Sequence, residues 1–156
     1  MDRTIRRLAL ASLFLLPAAA TSTRAAPPLP SIVEARVKQD VKDCDTHDAK
    51  FEKGFITRRD INGDGKEDYI LDYGRFSCGG SHNFCGSGGC STVIYASRGS
   101  GYAMVMDDLV RGIQFKTIGG RPAMLLGLHG SACGKMGAAA CGATLYWNGE
   151  KFSPAH

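Results

Sequence analysis

The chain lacks any run of apolar residues long enough to cross a bilayer. Its almost unbroken run, Leu8 to Leu16, falls well short of the roughly 20 residues a membrane helix needs. It also lacks a lysine and arginine cluster interleaved with aromatics, which argues against nucleic acid as a partner. No cysteine lies beside the amino-terminal apolar run, so lipid-anchored export is not supported. No paired C-x-x-C spacing occurs, which argues against a structural zinc site. No Gly-x-Ser-x-Gly elbow marks a hydrolase nucleophile. No separate second acid stands opposite a first, so glycosidase chemistry has no foothold.

What the amino terminus does contain is specific. Arg3, Arg6 and Arg7 precede the apolar run, and Pro17, Ala18, Ala19 and Ala20 follow it. That is the layout of a secretory signal peptide over residues 1–25, with cleavage after Ala20 or Ala25. A single β-rich domain then occupies residues 26–156. The full chain carries 19 basic and 15 acidic residues. Cleavage after Ala25 removes four arginines and Asp2, so the apparent basicity is largely a targeting feature. These features predict a periplasmic or secreted protein with no membrane span in its mature form.

All six cysteines, Cys44, Cys78, Cys85, Cys90, Cys133 and Cys141, lie after the signal region. An exported chain meets an oxidising compartment, so three disulfides are expected. The favoured set closes the short loops Cys85–Cys90 and Cys133–Cys141 and leaves Cys44–Cys78. The main rival pairs Cys78 with Cys85 or Cys90.

Pro27-Pro28-Leu29-Pro30 is a stiff lead-in. Ser31 and Glu34 have capping-box spacing, and Val33, Val37 and Val41 recur every four residues. Asp40 falls off that stripe, as do Lys38 and Lys42. A helix ending near Asp43 to Asp45 is therefore predicted, packed on a sheet. Strands are predicted at Phe51–Arg59, Tyr69–Tyr73, Thr92–Ser97, Tyr102–Met106, Ile113–Ile118, Ala123–Leu128 and Thr144–Trp147, with a short one at Lys151-Phe152. Arg98-Gly99-Ser100-Gly101, Gly119-Gly120 and Asn148-Gly149 read as hairpin turns. Strand follows strand without an intervening helix pattern, so the fold class is α+β: an N-terminal helix on a mainly antiparallel sheet. Ser77–Gly89 and Gly130–Ala140 are glycine-rich, hold or border five of the cysteines, and read as disulfide-stapled surface loops.

The most informative stretch is Asp60-Ile61-Asn62-Gly63-Asp64-Gly65-Lys66-Glu67-Asp68. It puts oxygen-bearing side chains at loop positions 1, 3, 5 and 9, with glycines at the sharp turns. Converging carboxylates repel unless a cation joins them. The expected ligands are the side chains of Asp60, Asn62, Asp64 and Asp68 and the carbonyl of Lys66, and the expected cofactor is Ca2+. An EF-hand needs a bidentate Glu at position 12, where this chain has Leu71. The surroundings fit strand–loop–strand instead. The stretch from Phe55 to Tyr73 resembles the calcium loop of integrin-type FG-GAP repeats and related bacterial repeats, with their Asp-x-Asn-Gly-Asp-Gly-x-x-Asp core. That resemblance implies the same five ligands. The loop occurs once, so the metal loop carries over and the propeller does not.

Elsewhere, His129-Gly130-Ser131 is the most suggestive chemical site. Its ordinary reading is a turn before a disulfide. His82 reads as a loop residue, Asp107-Asp108 as a turn or solvated pair, and Arg58-Arg59 as local counter-charge to the acidic loop. Trp147 reads as core, and Met104, Met106 and Met124 as gap-fillers. The overall expectation is an exported, non-enzymatic calcium-binding structural or interaction module. Its partner would be a protein or an envelope glycan, and an inhibitor role fits the stapled loops. The alternative is a small secreted hydrolase using His129 and Ser131.

Overall fold

The computed structural model describes residues 27–44 and 48–155. The signal-peptide segment and both cleavage positions lie outside the described residues. Among those described, no helix is long and apolar enough to cross a membrane.

One helix, α1 (Ser31–Lys42), opens the described chain. Eleven strands follow: β1 (Ala49–Phe51), β2 (Ile56–Arg59), β3 (Asp68–Asp72), β4 (Phe76–Cys78), β5 (Cys85–Gly86) and β6 (Gly89–Arg98). After these come β7 (Gly101–Val110), β8 (Gly112–Ile118), β9 (Arg121–Leu128), β10 (Cys141–Trp147) and β11 (Phe152–Ser153). They pair antiparallel throughout. A five-stranded sheet has the order β2-β3-β6-β5, with β7 also on β6; a four-stranded sheet has the order β11-β10-β9-β8; β1 and β4 form a small ribbon. The class is broadly α+β, but mostly β.

The layering follows from the two-residue period of β3 and β6. Tyr69, Leu71, Val93 and Tyr95 face one side, where they meet Val33 of α1 together with Phe55, Tyr73 and Phe76. Ile70 and Ile94 face the other side, against Met124 and Phe152 of the four-stranded sheet. The middle of the larger sheet is thus covered on both faces, which is why β3 is buried along nearly its whole length rather than at alternate residues. Burying a side chain such as Leu71, at 0% exposure, stabilises by about 1.5–3 kcal/mol.

All three favoured disulfides are present. Cys44–Cys78 ties the end of α1 to β4, Cys85–Cys90 bridges directly opposed residues of β5 and β6, and Cys133–Cys141 closes the loop before β10. The three hairpin signals also hold. Gly119 and Gly120, both at positive φ, turn β8 into β9. Residues 98–101 join β6 to β7, and Gly149 lies between β10 and β11.

Several expectations fail for identifiable reasons. The strand predicted over Phe51–Arg59 is two strands, because the chain turns between Glu52 and Phe55, with the Phe55 N–H donating to the Glu52 carbonyl at 3.1 Å. That turn drives Phe55 into the core, in ring contact with Phe51, Tyr73 and Phe76. The capping box does not form. Pro30 occupies the cap position, Ser31 is already helical, and Glu34 pairs with Lys38 at 2.7 Å instead. Val41 is exposed, whereas Asp40, expected off the apolar stripe, is buried. Asp107 and Asp108 are an exposed pair, one of the two expected alternatives, but they lie within β7 rather than in a turn. The Ser77–Gly89 segment is not wholly superficial: Phe84 packs on Tyr73 and Phe76. Met124 fills the core as expected, but Met104 is exposed.

Arg111 alone separates β7 from β8, so the chain passes from one sheet to the other at a single corner. Gly89 sits beneath it at φ +111, and a Cβ there would lie 2.0 Å from the Val110 carbonyl oxygen. Only glycine permits that approach.

Candidate functional site: the acidic loop and the His–Ser turn

The chain from Asp60 to Glu67 connects antiparallel neighbours β2 and β3, and Asp68 is the first residue of β3. Each of the four side chains expected to bind a cation is held by hydrogen bonds. The two carboxylate oxygens of Asp60 accept from the Gly63 and Gly65 N–H groups at 2.6 and 2.9 Å. Asn62 Oδ1 accepts from the Asp64 N–H at 3.0 Å, and Asp64 Oδ1 from the Lys66 N–H at 2.9 Å. Gly63 and Gly65 adopt φ of +83 and +81, conformations open mainly to glycine. These contacts fold the backbone around its own acidic side chains.

Asp68 differs from the others in being fully buried. One oxygen accepts from the Ile61 N–H at 2.8 Å and the other from the Ser97 N–H at 2.7 Å. It therefore joins the start of the loop to the far end of β6. Ser97 is the residue the sequence reading missed. Its Oγ donates to Asp64 Oδ2 at 2.6 Å, and Asn62 Nδ2 lies 3.4 Å from both its carbonyl oxygen and its Oγ. Lys66 Nζ donates to the Gly99 carbonyl at 2.7 Å. No local signal links positions 29 to 35 residues apart; only the β3–β6 pairing brings them together.

The expected counter-charge is not there. Arg58 stacks over Tyr69 and donates to the Pro27 carbonyl, and Arg59 lies over Phe115. Among the described residues, no lysine or arginine forms an ion pair with Asp60, Asp64 or Asp68. Their oxygens are met by N–H and O–H donors, with the Lys66 charge acting on Asp64 from a distance. The Ser97 hydroxyl, the largest influence, holds the Asp64 carboxyl below its ordinary range; burial opposes it, and the Lys66 N–H, Asn62 and the Lys66 charge add to the lowering. Among the described residues, no three His, Cys, Asp or Glu side chains are grouped closely enough to hold a metal ion. Asp60, Asp64 and Asp68 are therefore not drawn around a single point here; Asp68 turns both oxygens to the Ile61 and Ser97 N–H groups.

The loop also touches the second sheet. A Cβ on Gly63 would lie 3.2 Å from the Pro122 ring, next to the start of β9. Asn62, Asp64 and Ser97 share a cavity of about 420 Å³ with Trp147 and Glu150 from the last hairpin. Arg98 donates to the Glu150 carbonyl across it. Trp147 is half-buried and packs edge-on to Phe152, with ring centroids 5.2 Å apart.

His129 and Ser131 are brought together. His129 Nδ1 and Ser131 Oγ lie 2.7 Å apart. Nδ1 also accepts weakly from the Ser131 N–H, making His129 the cap of the short 3-10 turn Gly130–Cys133. On the other side of the ring, Gly137 packs so closely that a Cβ there would lie 2.5 Å from Nε2. No carboxylate reaches His129, so the orienting third member of a triad is lacking among the described residues. His82 Nδ1 lies 3.1 Å from the Phe76 carbonyl oxygen, which makes it a brace for its loop. Asp107 accepts from Arg36 at 3.0 Å.

No protein-family model matches the chain, and no curated protein or solved structure is significantly similar to it.

Proposed function

We propose that this protein is an exported calcium-binding structural or interaction module, with Asp60, Asn62, Asp64, Asp68 and the Lys66 carbonyl as its ligands. The observation that carries this reading is a nine-residue loop whose three aspartates have no ion-pair partner, folded by its own glycines and N–H donors. Each carboxylate oxygen offers two lone pairs, so an N–H bond on one leaves another for a hard cation. The likeness to the FG-GAP calcium loop supports the same set. The ion is structural in this reading, because the loop joins β2 to β3 and touches the second sheet at Pro122. Three stapling disulfides fit an oxidising compartment, the periplasm or the extracellular space. A protein or an envelope glycan is the partner.

Calorimetric titration of metal-stripped, oxidised protein tests this. Calcium is expected to bind at one site with a Kd no weaker than about 1 mM, the range of extracellular modules. Trp147 shares the cavity with Asn62 and Asp64, and it is the chain's sole tryptophan. Its emission should therefore shift over the same titration. Asp64→Ala should weaken binding at least tenfold. Acid should do the same. With the Asp64 value depressed, its carboxylate is fully present above the ordinary value of about 3.9 and is lost as the pH falls below that. An Asp64→Ala titration that overlays the wild type would remove the ligand assignment.

The 2.7 Å contact between His129 and Ser131 supports a second reading, a small hydrolase. It is the weaker one, because the pair caps a turn and has no orienting acid. Its check is a panel of ester and amide substrates. An activity abolished by His129→Ala, with melting unchanged, would reinstate it; no turnover, or turnover that survives the substitution, removes it.

A further inference from the structure

The two sheets splay apart where the chain crosses from β7 to β8, leaving an open cleft of about 770 Å³ on the side away from α1. Its size is that of a small-molecule site. Its floor is apolar, made by Ile70, Val110 and Ile113. Its walls are not. Arg59 on β2, Arg75 after β3 and Arg111 at the corner line it together, with Thr57, Thr92 and Gln114 between them.

The charge in this cleft is largely uncompensated. Arg59 has no carboxylate within ion-pair distance among the described residues, and its guanidinium is positioned by stacking 5.2 Å above the Phe115 ring. Arg111 is held through Nε and Nη2, which donate to the Ser87 carbonyl at 3.1 and 2.8 Å, and its Nη1 is not used in that contact. Arg75 makes only a loose 3.7 Å contact with Glu52, both side chains being 54% exposed. The one acid in the lining, Asp72, turns one oxygen inward to accept from the Gly74 N–H at 2.9 Å. Three guanidinium groups against Asp72 and the loosely paired Glu52 still leave a local excess of positive charge. A groove with low-dielectric walls focuses such charge. Guanidinium forks match the geometry of carboxylate, phosphate and sulfate oxygens.

The walls are also held firmly. The Cys85–Cys90 disulfide and the Gly89–Val110 contact anchor the segment that carries Ser87, and so the seat of Arg111. A site of this kind is organised before its ligand arrives, which lowers the cost of binding.

We propose that this cleft binds a small ligand carrying at least two oxyanion groups on a carbon frame. The arginines would take the oxyanions, and the Ile70–Ile113 floor would take the frame. The proposal is independent of the calcium loop, whose cavity is lined by other residues.

A hexose 1,6-bisphosphate is a suitable probe, with the neutral hexose as control, titrated into the oxidised protein in low-salt buffer. The bisphosphate should bind with a Kd below about 1 mM and weaken as salt is raised, whereas the neutral sugar should give no heat. Arg59→Gln and Arg111→Gln should each weaken binding about tenfold, the worth of one charged hydrogen bond. Lys151→Gln removes one positive charge on the last hairpin, outside this cleft, and should leave binding unchanged. Arg59 bears on no backbone group, so Arg59→Gln remains informative if Arg111→Gln disturbs the corner. Failure of the wild type to bind, equal binding of the neutral sugar, or an equal loss in Lys151→Gln would each overturn the proposal.

Discussion

Asp68→Ala is expected to lower the melting temperature by about 15 °C, measured by differential scanning calorimetry. Asp68 is fully buried, and both its oxygens are in use. Truncation strands the Ile61 and Ser97 N–H groups in the interior, at about 1–3 kcal/mol each. The void left by the side chain adds to that, for a total near 4 kcal/mol. For a domain of this size each kcal/mol is worth about 4 °C. Asp68→Asn keeps the volume and one acceptor, so it should cost about half as much. Ser97→Ala provides the contrast. It removes the hydroxyl bond to Asp64 but leaves the Ser97 N–H on Asp68, and should cost about 1 kcal/mol. Added calcium should raise the melting point of the wild type and leave Asp68→Ala unmoved. If Asp68→Ala melts within 2 °C of the wild type, the carboxylate is not the clasp between loop and sheet.

Asp40→Ala is the second large effect, expected at about 3–4 kcal/mol by chemical denaturation. Asp40 is 7% exposed. It accepts from Arg36 Nε at 3.1 Å and from the Tyr73 hydroxyl. Arg36 in turn reaches Asp107 on β7 at 3.0 Å and lies 5.5 Å above the Tyr73 ring. One helical turn thus grips both the core and the edge strand. Burial alone would lower the Arg36 value, but Asp107, Tyr73 and Asp40 together raise it, so its charge persists at any working pH. Removing Asp40 leaves that guanidinium with only its partner on β7. Tyr73→Phe should cost less, about 1–2 kcal/mol, because Asp40 keeps Arg36. The pH dependence has a definite sign. Burial first, then the bond to Asp40, pushes the Tyr73 phenol above its ordinary value. Its contribution is complete below about pH 10 and is lost as the pH climbs past that toward the raised value. Tyr73→Phe should flatten this alkaline loss. Equal alkaline loss in the variant would place the sensitive group elsewhere.

The parts of the molecule that were legible in the sequence are those fixed by neighbours in the chain. Gly119-Gly120 turns a hairpin because two consecutive residues adopt positive φ, and glycine does so freely. Cys85–Cys90 and Cys133–Cys141 span separations of 5 and 8 residues, and Cys44–Cys78 follows once those two are taken. Asp60, Asn62 and Asp64 fold onto the N–H groups that follow them, so the acidic loop is visible from spacing alone.

Tertiary structure decided everything that depends on which strand lies beside which. Asp40 looked like a polar helix position and is buried, because the short turn after β3, packed under α1, offers the Tyr73 hydroxyl. Arg58 and Arg59 looked like partners of the acidic loop, but alternation along β2 directs them to opposite faces, where Tyr69 and Phe115 receive them. Ser97 carried no sign of a role until β6 paired with β3 and placed it against Asp68 and Asp64. The arginine-lined cleft exists only because two sheets diverge at Arg111. Turns and short cross-links record forces acting over a few residues. Burial, charge compensation and clefts record contacts between segments that the order of residues does not place side by side.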